Sequence, residues 1–131
     1  MSTKKIWLGV AAVLLTYAPA WASDWTQIGH SDGIILYIDR SSVQRNGSHV
    51  TYWSKQVYST PHQVRVGGEL KPYSNLVMQG DVDCANRTVQ PLVGRFYDSA
   101  GTIVTSSDAA QPSRPIVPDS GSDWERQAVC R

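Results

Sequence analysis

The segment from Gln79 to Thr88 holds residue types that could bind a metal or act as a reactive thiol. Asp81, Asp83 and Cys84 lie within four positions of one another. An EF-hand calcium loop also needs a glycine at its turn and a glutamate at its end, and this segment has neither at the required place. Zinc needs further thiolate or imidazole ligands at close spacing. The three histidines lie far apart and upstream: His30, His49 and His62. The spacing therefore argues against a metal site.

Cys84 has one potential partner, because Cys130 is the other of the two cysteines in the sequence. In an exported protein, which meets an oxidising environment, two cysteines predict one intrachain disulfide. A closed loop of about 47 residues would contribute on the order of 4 kcal/mol to the free energy of unfolding. The alternative is a free catalytic or metal-binding pair, which would require a thiolate at either position.

The first 22 residues predict export. Lys4 and Lys5 precede an apolar run over 6–17, and Ala20-Trp21-Ala22 is an A-x-A cleavage site. This order of basic, apolar and small residues is typical of a secretory signal peptide. We therefore expect a signal peptide at 1–22 and one domain at 23–131. Ser23, rather than a lipidated cysteine, follows the site, so we expect a mature chain without a membrane anchor, in the periplasm or outside the cell.

The charge balance disfavours nucleic-acid binding. The chain has 12 basic and 11 acidic residues, and loss of Lys4 and Lys5 would remove the small basic excess. Nucleic-acid binders usually carry a marked basic excess, because neutralising phosphates supplies much of their affinity. We expect no nucleic-acid partner.

Signatures of catalysis are also weak. The sequence has no H-E-x-x-H motif, and "VGGEL" at 66–70 lacks the Lys-Ser/Thr of a phosphate-binding loop. Asp39, Asp81 and Asp83 could in principle pair as catalytic carboxylates, but a glycosidase must hold two of them across a sugar-sized cleft. Asp39 fits better as the cap of a local turn. We expect neither an enzyme nor a cofactor.

The elements that position these residues are mainly strands. Alternating apolar residues and Gly- or Asn-rich turns predict an antiparallel meander. The expected strands are 25–30, 33–39, 48–58, 75–84, 88–97 and 102–107. Residues 40–44 are predicted to form a turn or one helical turn. Pro91 predicts an edge position or a bulge, and the proline-rich residues 108–118 predict an extended connector.

The C-terminal tail changes to a helical pattern. Ser122 and Glu125 match the S-x-x-E capping box, and a short helix would run to about Cys130 with Trp124, Gln127 and Ala128 on one stripe. A helix this short is marginal in water, so the disulfide would hold it on the sheet. The expected fold class is α+β, mostly β: about six antiparallel strands with a short C-terminal helix tied to them.

Three tryptophans are candidates for the core or for a ligand site. We expect Trp25, Trp53 and Trp124 to pack between the sheet and the helix, because buried aromatic residues dominate small cores. The alternative is a platform on which a carbohydrate stacks, and that alternative requires at least one exposed ring.

The stretch from Lys55 to Lys71 is the best candidate for binding a partner. The candidate residues are Lys55, Tyr58, Arg65, Lys71 and Tyr73. Glu69 is the one acidic residue among these basic side chains, so a mobile loop here could recognise an acidic protein surface. The alternative is a solvated hairpin loop whose aromatic residues complete the core.

Short motifs in a fixed order resemble the surface-adhesin protein E family of small exported bacterial proteins. They are Trp-x-x-Ile-Gly at 25–29, LYID with a serine turn at 36–42, YWSK at 52–55, DCANRT at 83–88, YDSAG at 97–101, PDS at 118–120 and VCR at 129–131. Together they cover nearly the whole mature chain.

This resemblance implies a sheet of about six antiparallel strands with a C-terminal helix tethered by a disulfide, for which Cys84 and Cys130 take the family's positions. It also implies a protein partner, such as a host extracellular-matrix or plasma protein, and a homodimer, since dimers occur in the family. The alternative function is a periplasmic accessory or envelope protein, or a small inhibitor of a secreted enzyme.

Overall fold

The computed structural model describes residues 23–131, so the predicted signal peptide at 1–22 lies outside the described residues. Seven strands and one helix make up this part of the chain. They are β1 (Trp25–Ser31), β2 (Ile34–Asn46), β3 (His49–Val66), β4 (Glu69–Asp83), β5 (Thr88–Tyr97), β6 (Ile103–Ser107), β7 (Arg114–Pro115) and α1 (Gly121–Val129).

The strands form one antiparallel meander in the order β1-β2-β3-β4-β5-β6, and the two-residue β7 pairs with β5. This confirms the predicted fold class. At the β1–β2 hairpin, Asp32 and Gly33 both have a positive φ, of 45° and 78°. Two central residues with positive φ suit the right-handed twist of the strands that they join.

The turn predicted at 40–44 is wrong, because β2 continues to Asn46 with a register shift between Asp39 and Gln44. The local hydrogen bonds that favoured a turn do form: the Ser41 amide donates to Asp39 Oδ1 at 3.0 Å, and Ser42 Oγ donates to the Asp39 carbonyl at 2.6 Å. Ser42 Oγ also accepts from the Trp53 amide on β3 at 2.8 Å. These bonds therefore make a bulge inside the strand instead of ending it.

Pro91 also lies at an irregularity. The pairing of β4 with β5 shifts between Gln79 and Gly80, and Gly80 is paired with Pro91. Because proline cannot donate a ladder hydrogen bond, an interior strand accommodates it at such a place. The predicted bulge is confirmed.

The core lies between α1 and one side of the sheet, which we call the helix face. Its buried cluster consists of Ile38, Val50, Tyr52, Val82, Val89 and Val129. Alternation along the strands places residues such as Trp53 on the other side, which we call the open face.

The helix begins two residues earlier than the capping box predicted. The N-cap is Ser120, whose Oγ accepts from the Asp123 amide at 3.3 Å, so Ser122 is not the cap. Glu125 is consequently free to turn inward, where it accepts a hydrogen bond from Tyr52 Oη at 2.7 Å. Gln127 is exposed, and it lines a surface pocket together with Trp124 and Ala128, the other two residues of the predicted stripe. Within the described residues, no helix is both long and apolar enough to cross a bilayer.

The Cys84–Cys130 disulfide is confirmed. It joins two cysteines 46 positions apart in sequence, and its Cα atoms lie 5.7 Å apart. Cys84 directly follows β4, and Cys130 is the C-cap of α1. The bridge therefore attaches the end of the helix to the sheet.

The contact between Gly29 on β1 and Trp124 near the start of α1 gives a prediction about the stability of the fold. A Cβ atom on Gly29 would lie 2.4 Å from Trp124 Cε3. We expect Gly29→Ala to reduce the free energy of unfolding by about 1–3 kcal/mol, because the indole ring must move.

Gly94 on β5 provides a matched control, because a Cβ atom there would meet its nearest neighbour at 3.6 Å. We expect Gly94→Ala to change the free energy of unfolding by less than about 0.5 kcal/mol. Urea unfolding of both variants makes the comparison. Equal stabilities would show that Trp124 is not held against Gly29.

Candidate functional site

The stretch predicted to be a mobile basic-aromatic loop is a regular β-hairpin. Residues 62–66 of β3 pair with residues 69–73 of β4, and Gly67 and Gly68 form the turn. We call residues 62–73 the hairpin arm. Its side chains are mostly exposed, and Leu70 near the tip is 57% exposed. Pairing across the ladder, rather than burial, holds the arm together.

Aromatic rings at the base of the arm join it to the sheet. The centre of the Tyr58 ring lies 4.0 Å from the centre of the His62 ring and 5.5 Å from that of Tyr73. The Tyr73 and Phe96 rings meet edge-on, with their centres 4.9 Å apart. Burial raises the pKa of Tyr58 well above its ordinary value, so this hydroxyl stays neutral. Two of the five predicted binding residues therefore form a packed joint.

Arg65 and Lys71 lie on the arm but do not converge. Arg65 pairs across the ladder with Leu70, and Lys71 pairs with Val64. Because neighbouring pairs on a strand point to opposite faces, the two basic side chains point to opposite sides of the arm. Arg65 also donates to the Gly68 carbonyl at 2.9 Å, which orders the tip.

Lys55 lies apart from the other four predicted residues, on the open face. Its Nζ atom is 4.6 Å from the centre of the Trp25 ring and 5.1 Å from the centre of the Tyr37 ring. Contacts of this kind attract an ammonium group to the negative face of an aromatic ring. The predicted basic-aromatic site is thus divided among the arm, its base and the open face.

The placement expected for two of the tryptophans is wrong. Trp25 pairs with Asp39, and Asp39 pairs with Trp53, so the three residues form one row on the open face. Trp124 alone of the three tryptophans packs in the layer between helix and sheet, against Gly29. The cause is alternation: Tyr52 is buried on the helix face, which directs its neighbour Trp53 to the other side.

The acidic residues beside Cys84 bind a histidine side chain. His49 Nδ1 lies 2.9 Å from Asp81 Oδ1, and His49 Nε2 lies 3.5 Å from Asp83 Oδ2. The hydrogen bond with Asp81, followed by its charge, raises the pKa of His49 above the ordinary value. The two ring nitrogens point in different directions, so they cannot share one ion. Among residues 23–131, no group of three or more His, Cys, Asp or Glu side chains could hold a metal ion.

A serine motif that sequence reasoning passed over occurs at the first hairpin. Residues 29–33, Gly-His-Ser-Asp-Gly, match the letters of G-x-S-x-G. In hydrolases that motif marks a sharp turn from a strand into a helix, where the serine is exposed as a nucleophile. Here it spans the end of β1 and the turn into β2. His30 and Ser31 are consecutive on a strand, so their side chains point to opposite faces, and the motif has no hydrolase geometry.

Comparison with known proteins assigns the family. The family model described as surface-adhesin protein E matches residues 25–131. A crystal structure of protein E from non-typeable Haemophilus influenzae aligns with a TM-score of 0.57 at 15% identity, covering 81% of this chain and 74% of that chain. A second crystal form of Haemophilus influenzae protein E aligns with a TM-score of 0.55 at 18% identity, covering 79% of this chain and 91% of that chain. No curated protein matches the chain significantly.

At 15% and 18% identity, the similarity to these two structures shows the fold alone. The family match extends from the first residue of β1 to the last residue of the sequence. It includes both cysteines of the disulfide and the whole hairpin arm. On the strength of that match, this chain belongs to the surface-adhesin protein E family.

Proposed function

We propose that this protein is an exported, non-enzymatic binding module that acts as a surface adhesin and engages host extracellular-matrix or plasma proteins. The observation that carries the proposal is the family match over residues 25–131. The family is named for adhesion and not for a reaction, which supports a role in binding. In this proposal the signal peptide at 1–22 is removed, and residues 23–131 form the working domain.

The hairpin arm is the part of the surface that fits protein binding best. It extends from the sheet as an ordered ladder, and the aromatic joint of Tyr58, His62 and Tyr73 fixes its base. An ordered element loses less conformational entropy on binding than a mobile loop does. The exposed Leu70 provides an apolar contact near the tip on the same side of the arm as Arg65, and Lys71 adds a positive charge on the opposite side. An acidic partner surface with an apolar patch would complement the side that carries Leu70 and Arg65.

A homodimer is part of the same proposal. β1 and β6 are the outermost strands of the sheet order, so each has a side on which its backbone groups are not paired within the sheet. Unpaired strand edges are ready sites for adding a strand from another chain. Light scattering of the purified, disulfide-bonded protein measures its mass directly.

The binding test uses the purified, disulfide-bonded protein on immobilised laminin, fibronectin and collagen. The arm variant combines Arg65→Glu and Lys71→Glu. The control variant combines Arg114→Glu and Arg131→Glu, which change the net charge equally at exposed positions outside the arm. We expect the arm variant to weaken binding by about tenfold or more, because both basic charges of the arm are reversed, and the control to stay close to wild type.

The outcomes distinguish an error in assigning the binding site to the arm from an error in the proposed function. Equal losses in the arm and control variants would show that net charge, and not the arm, governs binding. Absence of binding by the wild-type protein to every matrix and plasma protein tested would overturn the proposed function itself.

A further inference from the structure

We propose that the open face carries a saccharide-binding pocket between Trp25 and Trp53, specific for neutral pyranose sugars. The pocket has a volume of about 360 Å³, within the usual range of small-molecule sites, roughly 300–1,000 Å³. It lies on the side of the sheet away from α1 and does not include any residue of the hairpin arm. The proposal therefore goes beyond adhesion through the arm and does not depend on it.

The register of the strands places the two indole rings on either side of a carboxylate. Trp25 on β1, Asp39 on β2 and Trp53 on β3 are consecutive partners across the sheet, and Gln79 on β4 continues the row. Neighbouring strands are about 4.8 Å apart, so the two tryptophan positions are separated by roughly 10 Å. The pocket lies between them, and Asp39, which is 8% exposed, is one of the residues that line it.

Both tryptophans are only partly buried, so part of each ring remains accessible. The faces of an indole ring carry negative electrostatic potential. The C–H bonds on one side of a pyranose ring carry small positive charges, and they stack favourably on such a face. The Lys55 ammonium, 4.6 Å from the centre of the Trp25 ring, helps to fix the orientation of that ring before any ligand binds.

Asp39 is held in place by the backbone around it. Its Oδ1 atom accepts hydrogen bonds from the Asp24 amide at 2.9 Å, from the Ser41 amide at 3.0 Å and from Ser41 Oγ. Because all three bonds described for this side chain go to Oδ1, Oδ2 remains to accept a bond from a ligand in the pocket. A carboxylate whose position is already fixed binds a hydroxyl group without a further loss of rotamer entropy.

The remaining polar lining suits the mixed donors and acceptors of a sugar. Gln44 and Gln79 each present an amide, which can both donate and accept, and Thr51 adds a hydroxyl. The ten residues that line this pocket, all within 23–131, include one carboxylate and no basic side chain. A sialylated or sulfated sugar would be repelled by Asp39, so the lining favours neutral hexoses and N-acetylhexosamines.

The purified, disulfide-bonded protein is labelled with ¹⁵N at its tryptophans. It is then titrated with lactose, mannose, N-acetylglucosamine and chitotriose. Sialyllactose serves as the acidic comparison. We expect saturable shifts of the Trp25 and Trp53 indole N–H resonances with at least one neutral sugar, while the Trp124 resonance stays in place. Shifts with sialyllactose alone would overturn the specificity, and no shift with any sugar up to tens of millimolar would overturn the pocket.

Variants separate binding from folding. We expect Trp53→Ala and Gln79→Ala each to weaken sugar binding by about tenfold or more. Gln79→Ala is included because it removes an amide that is only partly buried, so the fold should survive it. Trp124→Phe, on the other side of the sheet, should bind as wild type. Unchanged binding in the folded Gln79→Ala and Trp53→Ala variants would contradict the assignment, whatever the arm variants do on matrix proteins.

Discussion

Replacing Cys130 with alanine is expected to lower the melting temperature by roughly 16–32 °C. The bridge closes a loop between residues 46 positions apart, and the chain-entropy relation assigns such a loop about 4 kcal/mol. In a domain of about 100 residues, each kcal/mol shifts the melting temperature by about 4–8 °C. The helix α1 has nine residues, which is too short to persist in water without its attachment to the sheet.

Three controls accompany this prediction. Cys84→Ala and the double variant should show the same loss as Cys130→Ala, because each removes the same bond. Reductant should lower the melting temperature of the wild-type protein to that of the double variant. Identical melting curves for oxidised and reduced wild-type protein would show that the bridge does not stabilise the fold.

Replacing Tyr52 with phenylalanine is expected to cost about 1–3 kcal/mol, because the buried Glu125 carboxyl loses one of its hydrogen-bond donors. Tyr52 is 1% exposed and Glu125 is 7% exposed, so the bond between them lies inside the core. The ring itself still fills its place in the variant. The loss therefore measures the polar contact that holds α1 against β3, and chemical denaturation can quantify it.

The same pair predicts how stability depends on pH. Burial raises the pKa of Glu125 above its ordinary value, against the hydrogen bonds from Tyr52 and Ser54, which lower it. Between the ordinary and the raised pKa, the folded protein binds more protons than the unfolded chain does. The contribution of Glu125 is therefore fully present below the ordinary pKa, and stability falls as the pH rises through the folded value.

Glu125→Gln tests this dependence. The amide can still accept a hydrogen bond from Tyr52 but does not ionise, so we expect the variant to be more stable than wild type at pH 8 and to lose the decline at rising pH. Glu69→Gln, at an exposed position of the hairpin arm, should keep the wild-type profile. A wild-type profile for Glu125→Gln would mean that Glu125 is not the group that titrates.

Most of the sheet could be predicted because its signals are local. Turn residues such as Asp32-Gly33 and Asn46-Gly47 mark where strands reverse, and two cysteines permit one intrachain bridge. The alternative of a solvated hairpin loop anticipated the reversal of the chain in the hairpin arm, but its strand pairing could not be predicted, for a physical reason. Residues 62–66 pair with 69–73 along their backbone while both of their faces are mostly exposed, so no alternation of apolar and polar side chains reveals the strand.

Two features could not be predicted without knowledge of tertiary contacts: the residue at which the helix starts, and the side of the sheet on which each tryptophan lies. Ser120 and Ser122 are each followed three residues later by an acidic residue, so local chemistry supports either as the cap. The hydrogen bond between Glu125 and the buried Tyr52, 73 positions away in sequence, favours Ser120 as the cap. Tyr52 and Trp53 are adjacent aromatic residues, and alternation alone cannot decide which of them faces the core.

The alternation of side chains between the two faces of the sheet also places the candidate binding residues far from one another. Lys55 and Tyr58 are close in sequence, yet Lys55 lies over Trp25 on the open face while Tyr58 packs with His62 and Tyr73 at the base of the arm. A compact stretch of sequence therefore gave three separate locations. The Trp25–Asp39–Trp53 row could emerge only once the register of β1, β2 and β3 was fixed.

The most direct test of the proposed role as a surface adhesin is protease treatment of intact cells that produce the full-length protein. A known periplasmic protein in the same cells reports whether the outer membrane stays closed. We expect this protein to be digested while the periplasmic control survives. Survival of both, followed by digestion of both after permeabilisation, would contradict surface display and identify a periplasmic accessory protein instead.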